Sequence, residues 1–220
     1  MTAHAEVAGE ELILSPARAV YWPRARILLV ADPHFGKAAS FRSLGVRAPV
    51  GTTAGNLSRL DALVADHAPH RVVFLGDFLH AKEGRADETF ETLRKWRASH
   101  GSVDMVLVRG NHDRRAGDPP PAVGIECIDG PLLEAPFALQ HHPSPVPGRY
   151  VLAGHRHPCV VLQGPARQRE RLACFWFGRD VGILPAFGEF TGCAEVDARP
   201  GDRLWVVGDD SVEPVRFGRG

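Results

Sequence analysis

The sequence predicts an α/β fold with a parallel core, and three observations lead to that prediction. Short apolar runs recur along the chain, segments of helical period separate the first runs, and each run stops abruptly at polar or glycine residues. Apolar runs of about four to eight residues suit buried strands, and alternation of strand and helix is typical of a parallel sheet. The length of 220 residues suits one large core, so we expect a single domain spanning residues 1–220.

Short apolar runs with β-branched residues are predicted to be strands. They are Ile27 to Ala31, Val72 to Leu75, Val103 to Val108, Phe137 to Leu139 and Tyr150 to Ala153. Two earlier runs, Leu12 to Leu14 and Ala17 to Tyr21, flank Ser15-Pro16 and suggest a leading hairpin. After Asp113 short strands follow one another with little helix between them, so we expect a second, more antiparallel sheet.

Two helices are predicted between the first three central strands. In Thr52 to His67 the leucines recur at the helical period and give one apolar face. Phe90 and Leu93 lie on a similar face in a second segment, about Ala86 to Ser99. The resulting order of strand, helix, strand, helix and strand indicates the parallel core.

Polar clusters follow five of the predicted strands. They are Asp32-Pro33-His34, Gly76-Asp77, Asn111-His112-Asp113, His141-His142 and His155-Arg156-His157. In an open α/β sheet the loops at the carboxyl ends of strands converge on one crevice, so these clusters are expected to meet. Their mixture of oxygen and nitrogen ligands suits Mn, Zn or Fe, whereas Mg and Ca prefer oxygen alone.

The spacing within the clusters predicts how they would hold metal ions. Residues two apart in an extended segment point the same way, so Asp32 with His34, and His155 with His157, could each chelate an ion. By the same alternation His142 is expected to point away from His141, which we take as the ligand. The carboxylate of Asp77 has two oxygens and could bridge two cations about 3.5–4 Å apart.

Composition excludes some classes of protein. The formal net charge is zero, which removes any argument for nucleic-acid binding from overall charge. No apolar run approaches the roughly 20 residues of a membrane helix, and the first ten residues do not resemble a secretory signal, so we expect a cytoplasmic protein with no membrane partner. We also expect reduced cysteines, since no C-x-x-C pair occurs among Cys127, Cys159, Cys174 and Cys193.

The five clusters together resemble the calcineurin-like metallophosphoesterase superfamily, whose successive blocks are D-x-H, G-D, G-N-H-D or E, H, and G-H-x-H. The resemblance implies a four-layer α/β/β/α sandwich of two mixed sheets flanked by helices. It also implies two divalent transition-metal ions. One would be held by Asp32, His34, Asp77 and His157, and the other by Asp77, Asn111, His141 and His155.

A narrower resemblance concerns the residues between these blocks. The segments at 32–37, 47–51, 76–80, 141–143 and 184–192 are similar to the bacterial ligase-associated DNA damage response endonuclease family. That resemblance implies a manganese-dependent phosphodiesterase acting on single-stranded DNA in DNA repair, associated in function with a DNA ligase, a helicase and an exonuclease. Iron and zinc remain alternatives to manganese because they accept the same ligands.

The remaining candidates are given roles in a proposed hydrolysis, in which a hydroxide that bridges the two metal ions attacks phosphorus in line. His112 is expected to protonate the leaving oxygen or stabilise charge on the phosphoryl group, and Asp113 to orient it. The candidates for phosphate contact are His80, Lys37, Arg109 and Arg156. Two alternatives stay open: hydrolysis of a small or lipid-linked phosphoester, and a scaffold of the same fold that lacks catalysis.

Overall fold

A computed structural model describes residues 1–163 and 169–215. Its first sheet contains strands in chain order, namely β1 (Ala3–Val7), β2 (Glu10–Ser15), β3 (Ala19–Trp22), β4 (Ile27–Val30), β5 (Arg71–Phe74), β6 (Asp104–Val108) and β7 (Glu126–Ile128). Strands β1 to β4 pair antiparallel, which confirms the leading hairpin, and β4 to β7 pair parallel. The predicted parallel core is therefore the second half of this sheet.

The second sheet is built from the rest of the chain. Its strands are β8 (Leu132–Glu134), β9 (Phe137–Gln140), β10 (Tyr150–Ala153), β11 (Pro158–Gln163), β12 (Arg169–Phe177), β13 (Val181–Ile183), β14 (Ala194–Glu195), β15 (Arg203–Val207) and β16 (Val212–Pro214). Strands β9, β10 and β13 pair parallel, as do β11 and β14, whereas the other pairs are antiparallel. The sheet is thus mixed.

The described helices all lie between the fourth and seventh strands. They are α1 (Lys37–Ser43), α2 (Thr52–His67), α3 (Asp87–Ala98) and α4 (Asn111–Ala116), with 3₁₀ turns at Lys82–Gly84 and Pro121–Val123. Helix α2 has the predicted bounds, and α3 is one residue shorter than predicted at each end. In the part of the chain that the structure describes, no helix is long and apolar enough to cross a membrane.

Both faces of the first sheet are buried, which explains why its central strands are continuously apolar. Leu28 and Val30 of β4 share one buried cluster with Leu60 of α2 and Leu93 of α3. The alternate residue Leu29 belongs to a second cluster, whose members from the other sheet include Phe137, Leu139, Leu152, Phe175 and Phe177. Each such side chain contributes about 1.5–3 kcal/mol when fully buried. The α/β prediction of two mixed sheets flanked by helices is confirmed, although the helices are few.

The prediction that all four cysteines are reduced is wrong for two of them. Cys159 and Cys193 form a disulfide with their Cα atoms 5.7 Å apart, within the range that such a bond requires. The physical reason is the parallel pairing of β11 with β14, which brings together two segments far apart in the sequence. Cys127 and Cys174 are free.

Candidate metal centre

The polar clusters lie where the carboxyl ends of strands from both sheets meet. The loops after β4, β5 and β6 come from the first sheet, and those after β9 and β10 come from the second. Backbone hydrogen bonds tie these loops together: the amide of His34 donates to the Asp77 carbonyl at 3.0 Å, and the amide of Gly154 donates to the His141 carbonyl at 3.2 Å. The structure therefore brings together all seven residues proposed from the sequence as metal ligands.

Asp32, His34 and His157 form one candidate ligand group, with one ligand atom from each lying within 4.8 Å of the others. His157 Nδ1 donates to the carbonyl of Gly192 at 3.1 Å, so its Nε2 carries the free lone pair and lies 3.6 Å from Asp32 Oδ2. Within residues 1–163 and 169–215, three buried atoms of this group have no hydrogen-bond partner, namely Asp32 Oδ1, His34 Nδ1 and His157 Nε2. Buried polar atoms are normally paired, so these atoms fit a cation.

The second proposed ligand set converges on His141 Nε2. This nitrogen lies 2.9 Å from Asn111 Oδ1, 3.1 Å from His155 Nδ1 and 3.4 Å from Asp77 Oδ1. The other ring nitrogen of His141 donates to the carbonyl of Leu75 at 2.9 Å, which fixes the tautomer. A hydrogen-bonded Nδ1–H that leaves Nε2 free is the usual arrangement of a metal-binding histidine.

Two buried carboxylates link the groups. Asp32 and Asp77 are 0% and 2% exposed, and the ion-pair partners of their side chains, among the residues that the structure describes, are histidines. Backbone amides hold both: His155 N donates to Asp32 at 2.8 Å, and His112 N donates to Asp77 at 2.9 Å. Two carboxylates without a buried ammonium or guanidinium group require other cations, and divalent metal ions meet that need.

The pKa values of the site follow from burial and from these pairs. Burial lowers the pKa of His34, with further lowering by the charge of Lys37, and burial lowers the pKa of His155 to about 4. Burial also acts to lower the pKa of His157, but the negative Asp32 carboxylate, 3.6 Å from Nε2, and the Gly192 carbonyl at Nδ1 outweigh it, so the pKa is raised. Burial raises the pKa of Asp77. Neutral histidines are the form that binds metal.

Five of the seven proposed ligands have left-handed backbone conformations. The φ angles are 50° for Asp32, 47° for His34, 50° for Asp77, 69° for His155 and 45° for His157. Non-glycine residues with positive φ are uncommon, and they cluster at functional sites. The expectation that D-x-H and H-x-H are extended segments is therefore wrong. Asp32 and His34, and likewise His155 and His157, converge because the backbone turns sharply at both residues of each pair, and the alternation of side chains along a strand plays no part.

Glycines beside the carboxylates leave no room for a side chain. A Cβ at Gly110 would overlap Asp77 Oδ1, and a Cβ at Gly154 would overlap Asp32 Oδ2. The glycines of G-N-H-D and G-H-x-H are therefore required by close approach to the two carboxylates.

His112 lies over the site and is held by a main-chain group. Its Nδ1 donates to the carbonyl of His80 at 2.6 Å, and its Nε2 lies 3.9 Å from Asp77 Oδ2. Asp113 was expected to orient this ring, but its carboxylate accepts hydrogen bonds from the amides of Phe78, Leu79 and Gly110. Asp113 thus fixes the loops that carry Asp77 and Asn111, and the His80 carbonyl orients His112.

The residues predicted to contact the phosphate differ in burial and in their partners. The ring of His80 stacks on that of His112 with centroids 5.1 Å apart, and Lys37 is half-buried at the start of α1, where burial lowers its pKa. Arg156 is exposed. Arg109 is engaged elsewhere: its guanidinium binds Asp118 at 2.7 Å and Asp129 at 3.1 Å.

Sequence reasoning missed two contributors to the site. The ring of His142 lies 4.2 Å from that of His155, and His142 forms a candidate ligand group with His141 and His155. The segment 184–192 passes behind the ligand loops, where the amide of Gly188 donates to the Asp32 carbonyl and the Gly192 carbonyl accepts from His157. The resemblance had marked this segment, but its pattern of residues gave no sign of a role.

Overlapping groups of aspartates and histidines that could hold metal ions, capped by His112, are the centre expected of a metal-dependent phosphoesterase. The chain belongs to the calcineurin-like phosphoesterase family, whose family model matches residues 25–144. The resemblance seen in the sequence is thereby confirmed.

Solved structures give a more detailed comparison. The nuclease MPE of Pseudomonas putida is 45% identical to this chain, with a TM-score of 0.87 over 98% of this chain and 100% of that one. A protein of unknown function from Aquifex aeolicus, AQ665, is 20% identical with a TM-score of 0.42, covering 60% and 77%. The phosphoesterase Yfce of E. coli is 16% identical with a TM-score of 0.40, covering 86% and 97%. No curated protein matches the sequence.

Proposed function

We propose that the protein is a binuclear phosphodiesterase that cleaves internal phosphodiester bonds of single-stranded DNA. The observation that carries the proposal is the pair of ligand groups joined through Asp32 and Asp77, in a chain 45% identical to a nuclease over almost its whole length. Two cations at about 3.5–4 Å form the usual clamp for a phosphoryl group. We place this activity in the cytoplasm and in DNA repair, alongside a DNA ligase, a helicase and an exonuclease.

The residues proposed to hold the metals fit a transition metal. Asp32, His34, Asp77 and His157 would hold one ion, and Asp77, Asn111, His141 and His155 the other. Two of the four ligands proposed for each ion are imidazole nitrogens, which favours Mn²⁺, Fe or Zn over Mg²⁺ or Ca²⁺, and we propose Mn²⁺. When bound, such ions supply hydroxide at neutral pH and positive charge against the phosphate oxygens.

His112 is the proposed proton donor to the leaving oxygen. Its Nδ1–H is committed to the His80 carbonyl, so the proton that moves is carried at Nε2, on the side of the ring that faces Asp77. Lys37 is half-buried near His34 and would meet a phosphate oxygen with an ammonium group that is already partly desolvated. The exposed Arg156 would bind a neighbouring phosphate.

Single strands are the proposed substrate because the ligands are recessed. Asp32, His34, Asp77 and His141 are all buried, so a phosphate must enter the crevice to reach them. Duplex DNA resists sharp bending, with a persistence length of about 150 base pairs, whereas a single strand can turn one phosphate inward. A net charge of zero also provides no long-range field for binding a duplex.

The test compares substrates at equal concentration with Mn²⁺-loaded protein. We expect cleavage of linear and closed circular single strands, slower cleavage of duplex, and turnover of methyl p-nitrophenyl phosphate. The Asp77→Ala variant is the control for a contaminating nuclease. Intact circles with linear strands shortened from one end would contradict internal cleavage, and turnover of the small ester without any DNA cleavage would contradict DNA as the substrate.

A further inference from the structure

A line of aromatic rings leads from the protein surface to His112. The ring of Phe190 packs edge-on against Phe41 with centroids 5.6 Å apart, Phe41 stacks on His80 at 5.9 Å, and His80 stacks on His112 at 5.1 Å. The planes of Phe41 and His80 differ by 18°, and those of His80 and His112 by 21°. The inner end of this line, Phe190 to His112, borders the metal centre, since the ring of His34 packs edge-on against His80 at 5.3 Å and against His112 at 5.1 Å. The mechanism uses only this inner end.

The outer end of the line is open to solvent although it is apolar. Phe190 is 40% exposed, and it lines a small cavity together with His34 and Lys37. It is thus adjacent to a proposed ligand and to the proposed phosphate-binding lysine. An exposed ring at this position offers a flat apolar face to a ligand that enters the crevice.

The loop after α1 also carries exposed apolar side chains and is joined to Phe41. Seven large hydrophobic side chains are exposed among the described residues. Phe190 is one of them, and three others, Leu44, Val46 and Val50, lie in the segment between α1 and α2. The loop folds back on Phe41, whose carbonyl accepts from the amide of Val46 at 2.9 Å. Exposed Arg47 lies between the aliphatic residues and adds positive charge.

We infer that Phe190 and Phe41 form a stacking platform for a nucleobase of the DNA strand, next to the phosphate that is cleaved. The inference rests on the proposed function and specifies which part of the substrate the protein grips. Aromatic rings beside a cationic groove are how proteins hold single strands without reading sequence, because every base has a stacking face. Paired bases of a duplex have their faces covered, so the platform also favours single strands.

The platform makes the selectivity for DNA depend on Phe190. Stacking is worth about 1–3 kcal/mol per base, which corresponds to roughly a 5- to 150-fold change in affinity. We expect Phe190→Ala to lower kcat/KM on single-stranded DNA by at least about 5-fold relative to kcat/KM on methyl p-nitrophenyl phosphate, which has no base. Phe190→Trp should retain the DNA preference. Leu133→Ala, which removes another exposed apolar side chain on β8, is the matched control.

An abasic scan locates the platform on the strand. Single abasic residues are placed at successive positions of an oligonucleotide, and the cut sites are mapped for wild type and for Phe190→Ala. We expect wild type to cut poorly at one fixed offset from the abasic residue, and the variant to lose that offset effect. Because the two changes remove the same contact, their losses should not add.

The outcomes separate the proposed substrate from the proposed platform. A wild-type protein that hydrolyses the small ester but no DNA would overturn the proposed substrate. A wild type that cleaves DNA, with Phe190→Ala showing the same substrate ratio and the same abasic profile, would overturn the platform alone. A folding defect in Phe190→Ala would lower the melting temperature and would lower kcat/KM equally on both substrates. In that case Phe190→Leu repeats the test, because leucine removes the aromatic ring but keeps most of the apolar volume.

Discussion

Replacing Gly154 by alanine adds one methyl group at a place already taken by the Asp32 carboxylate. The new Cβ would overlap Asp32 Oδ2 and would lie 2.9 Å from the Cβ of Ala31 and 3.1 Å from Asp32 Cγ. Carbon atoms in contact prefer about 3.5–4.0 Å, so the carboxylate must move by roughly 0.5–1 Å. That shift also disturbs its hydrogen bond from the His155 amide.

The expected cost appears in both stability and activity. Overpacking costs about 1–3 kcal/mol, whereas a glycine-to-alanine change by itself stabilises by about 0.4–1 kcal/mol through the unfolded chain. The net loss for Gly154→Ala is therefore about 1–2 kcal/mol, or a few degrees in melting temperature for a chain of this size. A misplacement of about 1 Å at a catalytic group can lower the rate by about 10²-fold.

The assay measures metal content, melting temperature and turnover of methyl p-nitrophenyl phosphate for Gly154→Ala beside Gly101→Ala. Gly101 has nothing within 4 Å of its ideal Cβ and no positive φ, so the same chemical change there should be neutral. A Gly154→Ala protein with full metal content and wild-type turnover would show that the position of Asp32 does not matter to the centre.

Three further predictions concern the metals and the proton donor. Asp77→Ala should lose both ions, because its carboxylate faces both ligand groups, and elemental analysis finding one tightly held ion would contradict the shared ligand. His112→Ala should keep both ions and lose about 10²–10⁴-fold in turnover, which unchanged hydrolysis of an alkyl phosphodiester would disprove. The pKa of His157 is raised, so below that pKa a metal ion must displace the proton of the His157 ring in order to bind. Metal affinity should therefore rise between pH 6 and pH 8. Over the same range the number of protons released per bound ion should fall. Calorimetry in two buffers of different ionisation enthalpy measures both, and a pH-independent affinity would contradict this assignment of the proton.

The sequence was sufficient for the parts of the fold that depend on local pattern. The apolar run at β4 is buried on both faces, and the period of the leucines in α2 placed that helix at its observed bounds. Polar residues directly after β4, β5, β6, β9 and β10 identified the edge where loops converge, because parallel strands end together. These predictions required no knowledge of which strands are neighbours.

Features that depend on distant contacts could not be predicted in this way. The partner of Arg109 is decided by where Asp118 and Asp129 come to lie, and the disulfide depends on the register of β11 with β14. The left-handed ligands were missed for another reason: positive φ is uncommon for any residue other than glycine, so the D-x-H spacing was taken to indicate extended backbone at Asp32 and His34.

The strained backbone of the ligands also bears on how such a protein would evolve. Each non-glycine residue held at positive φ costs roughly 1 kcal/mol, and five of them together approach a large part of the net stability of a domain, about 5–15 kcal/mol. In a lineage that no longer used the centre, glycine at Asp32 or His155 would relieve this strain without loss of function. Retaining these five ligands therefore carries a stability cost that a working centre has to offset.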